Sequence, residues 1–208
     1  MARQEAMQRQ HVEPDSVFLN IPYDARFQAL YLAYIVGLTE LGLKPRATLA
    51  IPGGARRLDR IFELLQTCSY SVHDLSRVEL DRTPPPTPRF NMPLELGLAV
   101  AWAKLNPEAH TWFVCESVDR RAQKSLSDLN GTDFYIHNGT PEGVMRELSN
   151  AFVRPVYRPT VPRMMQSYKT LGRLLHTLKS NSGSATVFTA RMFADLIAAA
   201  AALRDKAR

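Results

Sequence analysis

Ser16-Val-Phe-Leu-Asn20 runs into Ile21-Pro-Tyr-Asp24, and residues 26–43 follow with Phe27, Leu30, Leu32, Ile35, Val36, Leu38 and Leu41 at helical spacing. The first piece is a short apolar run closed by a proline loop, which reads as a buried strand. The second reads as a helix ended by Gly42. The pairing then recurs. Residues 44–51 read as a strand stopped by Pro52-Gly53-Gly54, and 56–67 as a helix with Leu58, Ile61, Leu64 and Leu65 on one side. Residues 70–73 form a third strand and 93–105 a third helix. A strand at 111–115, a short helix at 120–129, a strand at 134–137 and a helix at 141–152 complete the series. Residues 75–90 are polar, carry Pro84-Pro85-Pro86 and read as a loop.

Strands alternating with helices imply a parallel sheet with right-handed crossovers. Five strands in this rhythm predict a flavodoxin-like, doubly wound α/β fold of order 2-1-3-4-5. The α/β domain spans 16–153, after a polar tail at 1–15. Residues 154–208 form a proline-bearing linker and two helices split by Ser180-Asn-Ser-Gly-Ser184. The apolar residues Val187, Phe188, Met192, Phe193 and Leu196 of this extension are expected to pack on the sheet or on a second copy, giving a homo-oligomer. On a scaffold reading, removal of residues 185–208 breaks assembly and spares the core fold.

The chain has 208 residues, of which 45% are apolar, enough for a core. No apolar run approaches the roughly 18 residues that span a bilayer. The first residues do not resemble a secretory signal, so a reducing cytoplasm is expected. Cys68 and Cys115 sit in or beside apolar segments without metal-ligand spacing, which predicts buried thiols and no zinc. Lys and Arg total 26 against 20 Asp and Glu, a net charge of +6. These cations are scattered, and no groove-reading module is visible. The charge therefore points to phosphate-bearing small ligands rather than nucleic acid.

Ligands of doubly wound sheets bind beyond the carboxyl ends of the strands. Three polar segments fall there: Asn20 to Asp24, Asp74 to Arg77, and Arg89-Phe90-Asn91. The following run, Met92-Pro-Leu-Glu-Leu-Gly-Leu-Ala-Val-Ala-Trp-Ala103, is apolar on every side and is expected to be buried. Glu95 is its only charge. A buried carboxylate must be paired, protonated or functional; the alternative is that it caps the helix start with Asn91. Gly97 is expected to leave space beside the helix start. Asp74 has two readings: a turn or an ion pair with Arg77, or a carboxylate acting on the ligand. His73, facing away from Asp74, reads as a core histidine. Pro52-Gly-Gly-Ala-Arg-Arg57 is either a phosphate cradle or a plain glycine turn.

Three motifs in this order, Phe18-Leu-Asn-Ile-Pro-Tyr-Asp24, Cys68-Ser-Tyr-Ser-Val-His-Asp-Leu-Ser76 and Met92-Pro-Leu-Glu-Leu-Gly-Leu-Ala99, resemble the nucleoside 2-deoxyribosyltransferase superfamily. That superfamily includes nucleotide N-glycosidases and is similar in architecture to Toll/interleukin-1-receptor domains that cleave NAD. The resemblance spans residues 16–137. It implies that Glu95 is a nucleophile that attacks the anomeric carbon, and that Asp74 contacts the sugar or assists the leaving base. It implies that Tyr23 lines the base pocket, with Asp128 and Asn130 closing the site; Asn20, Asp24, Ser76, Arg77, Arg89 and Asn91 are expected to contact the substrate from their place at the strand ends. It implies no resident cofactor, with NAD as a substrate, and a setting in bacterial defence or signalling. The long loop at 75–90 and the basic mouth depart from the family pattern and favour a phosphorylated ligand. A nucleotide-sensing module without turnover is the alternative.

Overall fold

The strand expected at 16–20 starts earlier, at Glu13, so the last residues of the expected tail belong to β1 (Glu13–Asn20). Val17 and Leu19 enter one core and Phe18 another, so β1 is buried on both faces. That burial is why it reads as a continuous apolar run. The computed structural model describes residues 12–50, 56–78, 80–81, 84–155 and 157–206.

Helix α1 (Gln28–Glu40) carries β1 across to β2 (Lys44–Arg46). The strand expected to reach residue 51 is thus three residues long, and Thr48–Ala50 is a 3-10 turn. β2 lies at the sheet edge, the place where a strand tolerates its central Pro45. Helix α2 (Arg57–Thr67), β3 (Cys68–Asp74), helix α3 (Asn91–Leu105) and β6 (Thr111–Glu116) follow. Between β3 and α3, the expected loop contains an antiparallel pair, β4 (Leu80–Asp81) and β5 (Thr87–Pro88). The helix expected at 120–129 is two 3-10 turns, Ala122–Lys124 and Ser127–Leu129. Its serines and Asp128 are residues that favour local side-chain bonds over helix continuation. β7 (Phe134–Ile136) and helix α4 (Pro141–Ala151), capped by Thr140, complete the sheet domain.

The main sheet runs β2-β1-β3-β6-β7, and every neighbouring pair is parallel. Counting sheet strands alone, this is the doubly wound order 2-1-3-4-5. Helices α2 and α3 cover one face. The other face carries α1 and α4, and over them α5 (Val161–Ser182) and α6 (Ala190–Asp205).

Helix α1 is buried around its circumference, from Leu30 to Glu40. Glu40, 1% exposed, is met by Arg163 Nε at 3.2 Å and Ser167 Oγ at 2.6 Å, both from α5. Met164, Leu171, Val187, Met192, Phe193, Leu196 and Ala200 join the α1 core. The apolar residues on which assembly through these helices was expected are therefore buried within the chain, with Phe188 packed against the same cluster. Helix α3, expected to be buried all round, is covered on one side only. Met92, Glu95, Leu96 and Ala99 face inward, while Leu94, Gly97 and Leu105 face out. No helix among the described residues is long and apolar enough to cross a membrane.

Removing residues 185–208 would expose the α1 core, so the truncated chain is expected to lose cooperative unfolding, contrary to the scaffold expectation. Leu196→Ala, at a fully buried position, should cost about 2–5 kcal/mol. Urea denaturation followed by circular dichroism measures both.

Candidate functional site

The carboxyl edge of the sheet separates into two sides. Asp74 ends β3 pointing towards α1. Its Oδ2 accepts from Tyr34 Oη at 2.7 Å and lies 3.0 Å from His137 Nε2, and its Oδ1 accepts the Ser76 N–H at 2.8 Å. Gly139 N–H donates to His137 Nδ1 at 3.1 Å, which leaves Nε2 as the protonated nitrogen facing Asp74 and Ser76 Oγ. Asp74, Ser76 and His137 are all buried. Burial, then the Asp74 carboxylate, pushes the Tyr34 phenol well above its usual range. The turn reading of Asp74 is thus realised. Arg77, its expected ion partner, gives Nε to Asp24 at 3.2 Å. Gly143 of α4 approaches so closely that an added Cβ would collide with the His137 carbonyl.

His73 points the other way, as a satisfied core histidine. Asn20 Nδ2 lies 2.9 Å from its Nδ1, and its Nε2 lies 2.9 Å from Ser71 Oγ. Ser71 Oγ is 2.9 Å from His110 Nε2, and His110 Nδ1 is 2.8 Å from the Cys68 carbonyl. A carbonyl only accepts, so the donors run from Asn20 to Cys68 throughout. Burial, with His110 adding to it, holds the His73 pKa down at about 3, and burial lowers that of His110.

On this second side stands Glu95, 4% exposed. It does not cap α3, whose N-cap residue, Phe90, makes no side-chain capping bond. Instead Arg57, the first residue of α2, gives Nε and Nη2 to Glu95 Oε1, each at 3.3 Å. Among the described residues, Glu95 Oε2 is buried without a partner. Burial raises the Glu95 carboxyl above its usual range, while Arg57 and the neighbouring Asn20 amide pull it back.

Above this pair opens a cavity of about 480 Å³. Its walls include Tyr23 and Asp24 from the loop after β1, Arg57, Arg77, the β5 residues Thr87 and Pro88, and Arg89 and Asn91 at the start of α3. Asp24 Oδ1 accepts from the N–H groups of Arg26 and Phe27, and its Oδ2 lies 3.2 Å from Arg77 and 3.8 Å from Arg89. Asp24 thus gathers two arginines at the mouth. Tyr23, half-buried, meets Tyr31 and Phe188 with its ring, and burial pushes its pKa up to about 12. The cavity can hold an anionic group on three arginines, with a buried carboxylate behind one of them.

Tyr23, Asp24, Arg77, Arg89 and Asn91 therefore meet in one cleft, whereas Asn20 and Glu95 are not among its lining residues and Glu95 is joined to it through Arg57. Asp74 and Ser76 belong to the α1 side. Asp128 and Asn130 are exposed on the turn after β6 and are not among the residues lining the cleft. The glycines of the expected cradle, residues 53–54, lie outside the described residues. Arg57 was legible only as the end of that glycine segment, and Thr87 and Pro88 not at all. His137 could have been flagged by its place at the carboxyl end of the last strand. Cys68 and Cys115 are both buried thiols, and burial raises their pKa values. Among the described residues, no group of three or more His, Cys, Asp and Glu side chains is placed to hold a metal ion. No protein-family model and no curated protein matches the chain.

The buried histidines set an expected pH dependence. His73 takes up a proton near pH 6.5 when unfolded but only near 3 when folded. Its contribution is complete above pH 6.5 and shrinks as pH falls towards 3. Denaturant midpoints should drop between pH 7 and 5, and His73→Gln should flatten that slope while lowering stability at pH 7.

Proposed function

We propose that the cleft binds a nucleotide-type ligand, a nucleoside monophosphate or NAD, and that Glu95 attacks the anomeric carbon to cleave or transfer at the N-glycosidic bond. The observation that carries this reading is a buried carboxylate, one oxygen without a partner among the described residues, held by one of the three arginines that line the cleft. In the proposed step a Glu95 oxygen bonds the anomeric carbon, and the C–N electron pair leaves with the base. Water or an acceptor then displaces the carboxylate, as in retaining glycosidases. The low-dielectric surroundings of Glu95 strengthen its interaction with the oxocarbenium charge that develops in between. Tyr23 supplies an aromatic wall for the base, and the arginines answer the phosphate. The resemblance to nucleotide N-glycosidases supports the same assignment and suggests a defence or signalling role.

A non-catalytic sensing module is the second reading, and one contact favours it. Phe188, beside the C-terminal helices, packs against Tyr23 at a ring-centroid distance of 6.1 Å, so the extension touches the cleft wall directly.

Chromatography of NAD and AMP incubated with the protein should show released base. Glu95→Gln should lower that rate by about 10³-fold or more, the order expected when a covalent group is removed. Turnover that survives the substitution removes Glu95 as nucleophile. Tight binding of intact nucleotide with no product favours the sensing module.

A further inference from the structure

Arg57 stands between the two parts of the site. Arg57 lines the cleft, and its guanidinium holds Glu95. Its side chain is 48% exposed, whereas that of Glu95 is 5% exposed. The pair is loosely made. Both contacts fall on the same carboxylate oxygen at 3.3 Å, longer than the roughly 2.7–2.9 Å usual between charged partners. A fork that engaged both oxygens would have satisfied Oε2, which has no partner among the described residues. Arginine carries five N–H donors, and the Glu95 contacts use two. The groups facing Glu95 are thus Arg57 from α2, Asn20 from β1 and Tyr23 from the loop after it.

The cleft on the other side of Arg57 suits an anion for independent reasons. Arg77 and Arg89 line it, gathered on Asp24. Asn91 and Met92, the first two residues of α3, also line it. That helix has 15 residues and no side-chain cap at its start, so its first N–H groups and its dipole favour negative charge there.

We propose that a phosphoryl group bound in this cleft competes with Glu95 for Arg57, so that docking of the ligand itself draws the guanidinium away and uncovers the carboxylate. A phosphoryl group offers the arginine two oxygens in the bidentate geometry that Glu95 does not supply. The exchange is reciprocal: whatever the anion gains from Arg57, the Glu95 pair loses. The inference deepens the nucleotide reading, because phosphate recognition would then precede exposure of the nucleophile. A ligand without a phosphoryl group would leave Arg57 on Glu95.

The test is a double-mutant cycle on binding, with inorganic phosphate and AMP as probes, read by isothermal titration calorimetry on the full chain. Glu95→Gln should tighten binding of both probes by about 3–10-fold, because its amide competes less well for the guanidinium. Arg57→Ala should weaken them about tenfold or more, with Arg57→Lys between the two. In the Arg57→Ala background, Glu95→Gln should change affinity less than twofold. Adenosine binding should be indifferent to Arg57→Ala. Thermal unfolding of each variant shows that the fold is kept. The proposal is overturned if Glu95→Gln tightens phosphate binding equally with and without Arg57, since the charge then acts through space. It is also overturned if Glu95→Gln changes nothing, or if neither probe binds the wild-type protein. Absence of base release with an intact cycle would sink the glycosidic reading and leave this one standing.

Discussion

Helix α1 is apolar around its whole circumference, and every side of it has to be kept from water. The sheet covers one side and α4 another, which leaves the outer surface to α5 and α6. This explains why a 16–153 sheet domain carries a helical extension and why that extension folds back on it. The only acid on α1, Glu40, lies at its carboxyl end, where Arg163 and Ser167 of α5 meet it. A lone buried carboxylate would cost several kcal/mol, so the first turns of α5 are held in place by charge as well as by apolar contact.

The four helices on that face leave the other with only α2 and α3, and the asymmetry divides the polar residues of the sheet edge. Residues that point towards α1 are sealed: Asp74, Ser76 and His137 satisfy one another together with Tyr34 of α1. Among the described residues, those that point towards α2 and α3 end at the cleft, whose walls include Thr87 and Pro88 of β5. The arginines of the cleft come from three chain segments, and Asp24, beside β1, holds two of them at its mouth.

The sheet order was legible because doubly buried strands read as apolar runs between breakers. What failed was coverage. Helices α1 and α3 look alike in sequence, each apolar on nearly every side, yet only α1 is enclosed; the number of helices stacked on a sheet face is not a local property. The short β4–β5 pair was illegible because two-residue strands have no periodicity. Glu95 was legible as the one acid in an apolar helix, but Arg57 lies 38 residues away in sequence and carries no signal of the pairing. Asp74 and Glu95 were grouped because both fall at the carboxyl edge. Strand alternation, which correctly turned His73 away from Asp74, also sends Asp74 away from α3.

The line from Asn20 through His73, Ser71 and His110 to Cys68 has a consequence for what the site presents. Each member can bond in one sense only once its neighbour is fixed, and a reversal part-way would leave a buried donor facing a donor. The polarity is therefore all or none. It is anchored at the Cys68 carbonyl, a backbone group that no side-chain replacement there removes. Five residues of extended strand, about 16 Å, separate that anchor from His73. The rotamer choice at Asn20, amide nitrogen towards the histidine rather than oxygen, is thus dictated from the opposite end of the sheet.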